Sequence, residues 1–192
     1  MTISWTDAIR GFGRYLRIER SLSPNSVAAY LADVRRLHDW VESHRPGSGP
    51  SELTPGDLSD FVAFIAARND AVRTQARVIS GIRSFYSYLL VENFITDNPS
   101  LLPELPKTGM KLPEVLSVEE IDRMVASIDL SQPAGHRNRA IIETLYGCGL
   151  RVSELVNMRL TDIHRGEGFV TVTGKGNKQR LVPIGSVTLK EI

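Results

Sequence analysis

A single cysteine, Cys148, and four histidines leave little material for disulfides or metal centres. One cysteine excludes an internal disulfide and fits a reducing compartment. With no second cysteine there is no CxxC pair, so zinc sites of that type are excluded. No apolar run approaches the ~18 residues of a membrane-spanning helix. The first twenty residues are amphipathic and already carry acids, which argues against a secretory signal. Lysine is absent before Lys107: residues 1–106 hold eleven arginines against twelve acids. The formal net charge of the whole chain is only +1, so any affinity for nucleic acid has to come from clustered rather than global charge. What the chain does have is a 42% apolar content, enough for a core and too much for a disordered segment. Its 192 residues suffice for one or two small domains.

Apolar periodicity predicts four helices in the N-terminal half. The first covers roughly 5–19, with Ala8, Phe12, Tyr15 and Leu16 on one stripe. Ser23 is placed to cap the second, with Pro24 at its first position. That helix runs roughly 25–43 and gathers Val27, Tyr30, Leu31, Val34, Leu37 and Val41 on one face. A turn rich in Pro, Gly and Ser follows. Thr54 to Asp57 then resembles a capping box, with Asp in place of Glu, opening a helix through Leu58, Phe61, Val62 and Ile65. The fourth covers roughly 71–92, with Val72, Ala76, Ile79, Ile82, Phe85, Tyr86 and Leu89 inward and Arg73, Arg77 and Arg83 on the other face.

Pro99, Pro103, Pro106 and Pro113 break the pattern and argue for an extended interdomain linker over 99–114, in which Lys107 and Lys111 suit a basic strap or simple solvation. Ser117 to Glu120 is a capping box opening a helix to about Ile128, with Ile121, Met124, Val125 and Ile128 inward. GHRNRAIIETLYGCG supplies another, with Ala140, Ile141, Leu145 and Tyr146 apolar. After a glycine turn, a helix is expected from Arg151 through LVNMRLTDI. FVTVT and QRLVPI then read as two strands around the turn GKGNK.

The chemistry concentrates between Tyr146 and Pro183. Arg151 at a helix start and Lys175 on a hairpin form a plausible pair of phosphate ligands. Arginine grips phosphate with a planar fork and lysine acts as a mobile point charge. Glu154, three residues on, shares a helical face with Arg151. Its spacing fits an ordinary surface ion pair as well as a positioning role. Lys178 and Arg180 read as further phosphate contacts or solvated charges. GKGNK is not a P-loop, because GxxxxGK followed by Ser or Thr is missing.

GLRVSEL followed by GKGNKQRLVP resembles the first part of the catalytic domain of the tyrosine recombinase (phage integrase) family, and within it the XerC/XerD type. The resemblance extends over nearly the whole chain. It implies a mainly α chain: a helical core-DNA-binding (SAM-like) domain at 1–98, then the linker, then the incomplete N-terminal part of an α+β catalytic domain at 115–192 with a small β-hairpin or sheet. It implies that Arg151 contacts the scissile phosphate, that Glu154 supports it and that Lys175 assists departure of the 5′ hydroxyl. Arg73, Arg77, Arg83, Lys107, Lys111, Lys178 and Arg180 become candidate DNA contacts. It implies no cofactor and no metal.

The family's HxxR motif and nucleophilic tyrosine belong downstream of the hairpin, and the sequence ends at Ile192 before them. His136 to Arg139 matches the letters but lies upstream of Arg151. None of the five tyrosines stands in the nucleophile's place. The chain by itself is therefore expected to bind DNA without cutting it and to leave apolar surface uncovered on its second domain. Implied partners are duplex DNA with inverted-repeat half-sites, a homo- or hetero-tetramer with a second Xer-type recombinase, and a DNA translocase; the implied setting is the cytoplasm, without a membrane. Three other readings remain open at this level: an integrase of a phage or mobile element, a non-catalytic DNA-binding protein on the same fold, and a helical interaction module.

Overall fold

The computed structural model describes residues 3–68, 71–101 and 112–192, with the side chain of Lys175 excepted. Lys107 and Lys111 lie outside the described residues. The chain divides into two compact units, Met1–Lys111 and Leu112–Ile192.

The first unit is four helices: α1 (Trp5–Ile18), α2 (Pro24–His44), α3 (Pro55–Ala67) and α4 (Val72–Val91). Their starts follow the caps. The Ser23 hydroxyl accepts from the Ser26 amide, with Pro24 just inside the helix. Thr54 and Asp57 close a reciprocal capping box. The apolar stripes meet in one core, where Phe12 lies fully buried with its ring centroid 5.4 Å from Phe85 and 5.5 Å from Tyr88. The buried Tyr86 hydroxyl donates to the Pro50 carbonyl at 3.1 Å, so its polar end is satisfied inside the core. Val72, expected inward, is exposed in the first turn of α4. Residues 99–101, expected in the linker, instead form a 3-10 turn that buries Pro99 and Ser100 against the helices.

Two of the α4 arginines have work inside this unit. Arg77 pairs with the buried Asp33 of α2, its Nη1 within 2.7 Å and 2.8 Å of the two carboxylate oxygens. Burial pushes the Asp33 carboxyl above its usual range, while Arg77 and Arg36 pull it back down. Arg83 is half-buried and donates from Nε to the Ser100 carbonyl at 3.3 Å. Arg73 is exposed and makes no hydrogen bond or ion pair among the described residues. Gly81 lets α4 close on Asp33, since a Cβ there would lie 2.8 Å from Oδ2 and 2.9 Å from the Asp33 Cβ. Gly81→Ala is therefore expected to destabilise the first unit by about 1–3 kcal/mol through overpacking, read by denaturant unfolding. An unchanged midpoint would show that Asp33 moves aside freely.

The second unit holds α5 (Val118–Ala126), α6 (Gly135–Cys148), α7 (Val152–Val156), a three-stranded antiparallel sheet and α8 (Ser186–Glu191). The sheet order is β1 (Ile163–His164), β2 (Phe169–Thr173), β3 (Gln179–Pro183). Val170 and Val172 of β2 alternate inward, and with Cys148, Leu150 and Ile184 they form a small buried cluster. The β1 strand and α8 are additions to the sequence reading. Gly147 allows α8 its approach, because a Cβ there would meet Thr188 Oγ1 at 2.7 Å. Arg139 reaches Glu191 at 3.2 Å and ties α6 to α8.

Two sequence expectations need correction in this unit. The helix after Arg151 ends at Val156, and Leu160–Asp162 form a separate 3-10 turn that Asp162 closes on the Arg159 amide at 2.8 Å. Met124, expected inward, is exposed; Ile141, Tyr146, Val152, Val156, Leu160, Leu181 and Val187 are exposed as well, in keeping with the apolar surface expected on this domain. His164 of β1 stacks on Phe169 of β2 with ring centroids 4.4 Å apart.

Candidate DNA phosphate site

The site is built where α6 ends. Gly149 adopts a left-handed conformation at φ 58°, and the Leu150 amide returns to the Leu145 carbonyl at 3.2 Å. This is a Schellman-type stop, which glycine completes without a Cβ penalty. It turns the chain so that Leu150 is buried and Arg151 faces out. Arg151 stands at the N-cap of α7, one residue before the helix rather than in its first turn. Arginine has no side-chain acceptor for a cap. Glu154 makes only the return half of a capping box, accepting from the Arg151 amide at 2.8 Å. A five-residue helix adds little dipole, so the anion attraction here rests on the guanidinium itself.

The Glu154 carboxylate is the centre of the arrangement. Its side chain is 3% exposed, yet it takes four hydrogen bonds. Oε1 accepts from Arg151 Nη1 at 3.0 Å and Arg180 Nη1 at 2.8 Å. Oε2 accepts from the Arg151 amide at 2.8 Å and Arg180 Nη2 at 2.9 Å. The Arg180 side chain and the Arg151 amide hold the Glu154 carboxyl down at about 2. In the unfolded chain a glutamate titrates near ~4.3. A depressed folded value stabilises the fold above the unfolded one, and that stability is lost as pH falls toward 2. The second unit is expected to lose stability between about pH 4.5 and 2, measured as its unfolding midpoint against pH. A Glu154→Gln chain with the same acid profile would remove Glu154 as the cause.

The hairpin meets this carboxylate from the other side. Gly174, the residue before Lys175, is packed so closely that a Cβ on it would lie 3.3 Å from both Glu154 Oε1 and Arg180 Nη1. The Gly174 amide donates to the Lys178 carbonyl at 2.8 Å, closing the turn, and Gly176 inside it adopts φ 75°, a conformation natural to glycine. The structure thus brings the base of the Lys175 turn to the carboxylate that holds Arg151. Arg151 keeps its side chain 73% exposed. Lys178 is exposed at the end of the turn.

Arg180, read from the sequence as a DNA contact or solvated charge, bonds Glu154 through both terminal nitrogens of its guanidinium while its side chain stays 40% exposed. The signal that could have found this is strand register. Arg180 lies directly opposite the buried Val172, and Val182 opposite Val170, so Arg180 shares the inner face of the hairpin. A cation on an inner face calls for a buried acid, and Glu154 is the one supplied.

Cys148 is buried, and burial pushes its thiol above the usual range, which suits a packing role rather than a nucleophile. Among the described residues no group of three or more His, Cys, Asp or Glu side chains is arranged to hold a metal ion. No helix among them is long and apolar enough to cross a membrane.

Comparison with known proteins places these elements. Residues 9–93 match the phage integrase N-terminal SAM-like domain and residues 114–192 match the phage integrase family. The chain belongs to the phage integrase family. Members of the family with curated names include the tyrosine recombinase XerD of Listeria monocytogenes serotype 4b (strain F2365), 36% identical over 179 residues that make up 93% of this chain and 60% of that protein. The XerD of Chlorobaculum tepidum is 37% identical over 188 residues, 96% of this chain and 61% of its own length. The chain thus spans about 60% of the length of these relatives. Among solved structures, the XerH site-specific recombinase bound to difH substrate in a pre-cleavage complex aligns with a TM-score of 0.72 at 17% identity, over 99% of this chain and 68% of that one. A lambda integrase tetramer bound to a Holliday junction aligns with a TM-score of 0.73 at 15% identity, over 95% and 51%. At these identities the two structures speak for the shared phage integrase fold.

Proposed function

We propose that this chain supplies the DNA-clasping helical unit and the first part of the phosphate pocket of a Xer-type tyrosine recombinase. The observation that carries this is the single carboxylate, Glu154, which holds Arg151 and packs against the residue preceding Lys175. Arg151 offers an exposed guanidinium to the non-bridging oxygens of a phosphodiester and stabilises the charge that grows there during transfer. A tyrosine hydroxyl attacks phosphorus, a phosphorus–oxygen bond forms, and the bond to the 5′ oxygen breaks. Lys175 gives that leaving oxygen its proton. The 3′-phosphotyrosine that results conserves the bond energy for rejoining. No metal or cofactor enters these steps.

None of the five tyrosines in this chain is the nucleophile. Tyr86 and Tyr88 are buried in the helical core and Tyr15 and Tyr30 pack against it. Burial pushes the Tyr86 hydroxyl far above its usual range. Tyr146 sits at the end of α6, upstream of Arg151 rather than after the hairpin. The chain by itself binds duplex DNA and does not cleave it. Arg73 and Lys178 are its described exposed candidates for backbone contacts, with Lys107 and Lys111 proposed from sequence alone. Arg77 and Arg83 serve the first unit and reach DNA only with the parts of their side chains left open.

In its working assembly the protein acts on paired inverted-repeat half-sites as a homo- or hetero-tetramer with a second Xer-type recombinase. It resolves chromosome dimers in the cytoplasm at cell division, with a DNA translocase as a further partner. The XerD names of its relatives favour this over an integrase of a mobile element.

Two assays test the reading. In fluorescence anisotropy with an inverted-repeat duplex, affinity should fall steeply with salt, at a slope of about −0.9 per phosphate contact. Arg73→Ala should reduce that slope by about 1. With a nicked duplex that traps covalent intermediates, no protein–DNA adduct should form. Salt-independent binding would favour a helical interaction module, and a covalent adduct would place a nucleophile within this chain.

A further inference from the structure

We infer that Arg180 is a positioning residue for Arg151: its fork occupies both oxygens of Glu154, keeps that carboxylate from closing on Arg151, and so leaves the Arg151 guanidinium open to a phosphate oxygen. The inference rests on the phosphate-binding reading above and adds to it a residue that does not touch the DNA.

The geometry is specific. Arg180 bonds both carboxylate oxygens, at 2.8 Å and 2.9 Å, in the parallel arrangement that an arginine fork and a carboxylate favour. Arg151 reaches the same carboxylate through one side-chain nitrogen at 3.0 Å. Its backbone amide takes the remaining place at 2.8 Å. Two carboxylate oxygens offer about four lone-pair sites, and four donors fill them. Nothing is left on Glu154 for a second nitrogen of Arg151. Were Arg180 absent, the same i,i+3 spacing would let Glu154 meet Arg151 fork to fork. The phosphate ligand would then be neutralised by its own support.

Charge points the same way. Arg151 with Glu154 alone sums to zero, whereas the three groups together keep one positive charge at the site. Arg180 also comes from the hairpin that carries Lys175. Its bond to Glu154 therefore fixes the hairpin against the Arg151 turn, and Gly174 leaves room for the approach. The register that turns Arg180 inward, opposite Val172, is the register that puts Lys175 in the turn.

The test uses the 192-residue chain with 15N-labelled arginine, an inverted-repeat duplex, and the variants Arg180→Met, Arg180→Lys, Glu154→Gln, Arg151→Ala and the Arg180→Met/Glu154→Gln double. Methionine keeps an apolar stem on the sheet, and cross-strand amide contacts between β2 and β3 report whether the hairpin persists. If methionine loses the hairpin, the lysine variant carries the comparison. Arg151→Ala should weaken duplex binding about tenfold, the scale of one charged hydrogen-bonded contact. Arg180→Met should approach that loss, and Arg180→Lys should recover only part of it because a point charge cannot fill both oxygens. Adding Arg180→Met to Glu154→Gln should change affinity less than twofold. In the free protein, Arg180→Met should slow rotation of the Arg151 guanidinium as Glu154 closes on it.

An equal loss from Arg180→Met in both backgrounds would make Arg180 a direct DNA contact and overturn the inference. Unchanged Arg151 guanidinium signals in the Arg180→Met and Arg180→Lys chains would overturn it regardless of DNA. Failure of the wild-type chain to bind duplex DNA, with the guanidinium change still present, would instead sink the DNA reading and leave the Arg180 role standing.

Discussion

Glu154→Ala is expected to abolish cooperative unfolding of the second unit while leaving the midpoint of the first unchanged. The substitution removes all four hydrogen bonds at the junction of the Arg151 turn and the hairpin. It also leaves Arg151 and Arg180, both partly exposed, without the counter-charge they share. The second unit has little with which to compensate. Its buried cluster is Cys148, Leu150, Val170, Val172 and Ile184, whereas twenty buried residues hold the first unit together. Two-probe unfolding measures this, with a tryptophan signal for the first unit, where both tryptophans lie, and hairpin amide exchange for the second. A single unchanged transition would mean that the apolar cluster holds the sheet alone.

Phe12→Ala should do the converse. It is expected to destabilise the first unit by about 3–5 kcal/mol, the range for emptying a buried aromatic site. The ring touches the core from α1 and is surrounded by Phe85, Tyr88, Tyr15 and Tyr30, with centroid separations of 5.4 to 6.4 Å. Large rings on three sides cannot easily collapse into the space. Denaturant unfolding followed by tryptophan fluorescence reads the loss. A cost under about 1 kcal/mol would show that the neighbouring rings refill the cavity.

The helical unit was largely legible in the sequence because its signals are local. Ser23, and Thr54 with Asp57, each mark a helix start through a hydrogen bond made within three residues. The 3.6-residue stripe then names Phe12, Leu37, Phe61 and Phe85 as core. The second unit was less legible because its short elements depend on contacts made far along the chain. The length of α7 is set by the turn at 157–162, which brings the chain to a two-residue strand that exists only by pairing with β2. Helix α8 packs through Gly147 and Arg139, which are 41 and 52 positions from their partners Thr188 and Glu191.

The site divides along the same line. Arg151, Glu154 and Lys175 stood out through motif and spacing. Arg180 did not, because nothing near it in sequence reveals that it bonds a carboxylate 26 positions away. The α4 arginines show the reverse error: a polar helical face suggested free cations, but Arg77 belongs to Asp33, whose burial could not be read from α2 alone.

The most direct measurement is a titration of duplex DNA into the chain labelled at arginine and lysine side chains, followed by NMR. The guanidinium signals of Arg151 and the ammonium signal of Lys175 should shift together, saturate along one isotherm, and lose their response in parallel as salt is raised. Movement of Arg151 without Lys175, or of Arg73 and Lys178 with neither, would mean that the helix turn and the hairpin do not share a phosphate.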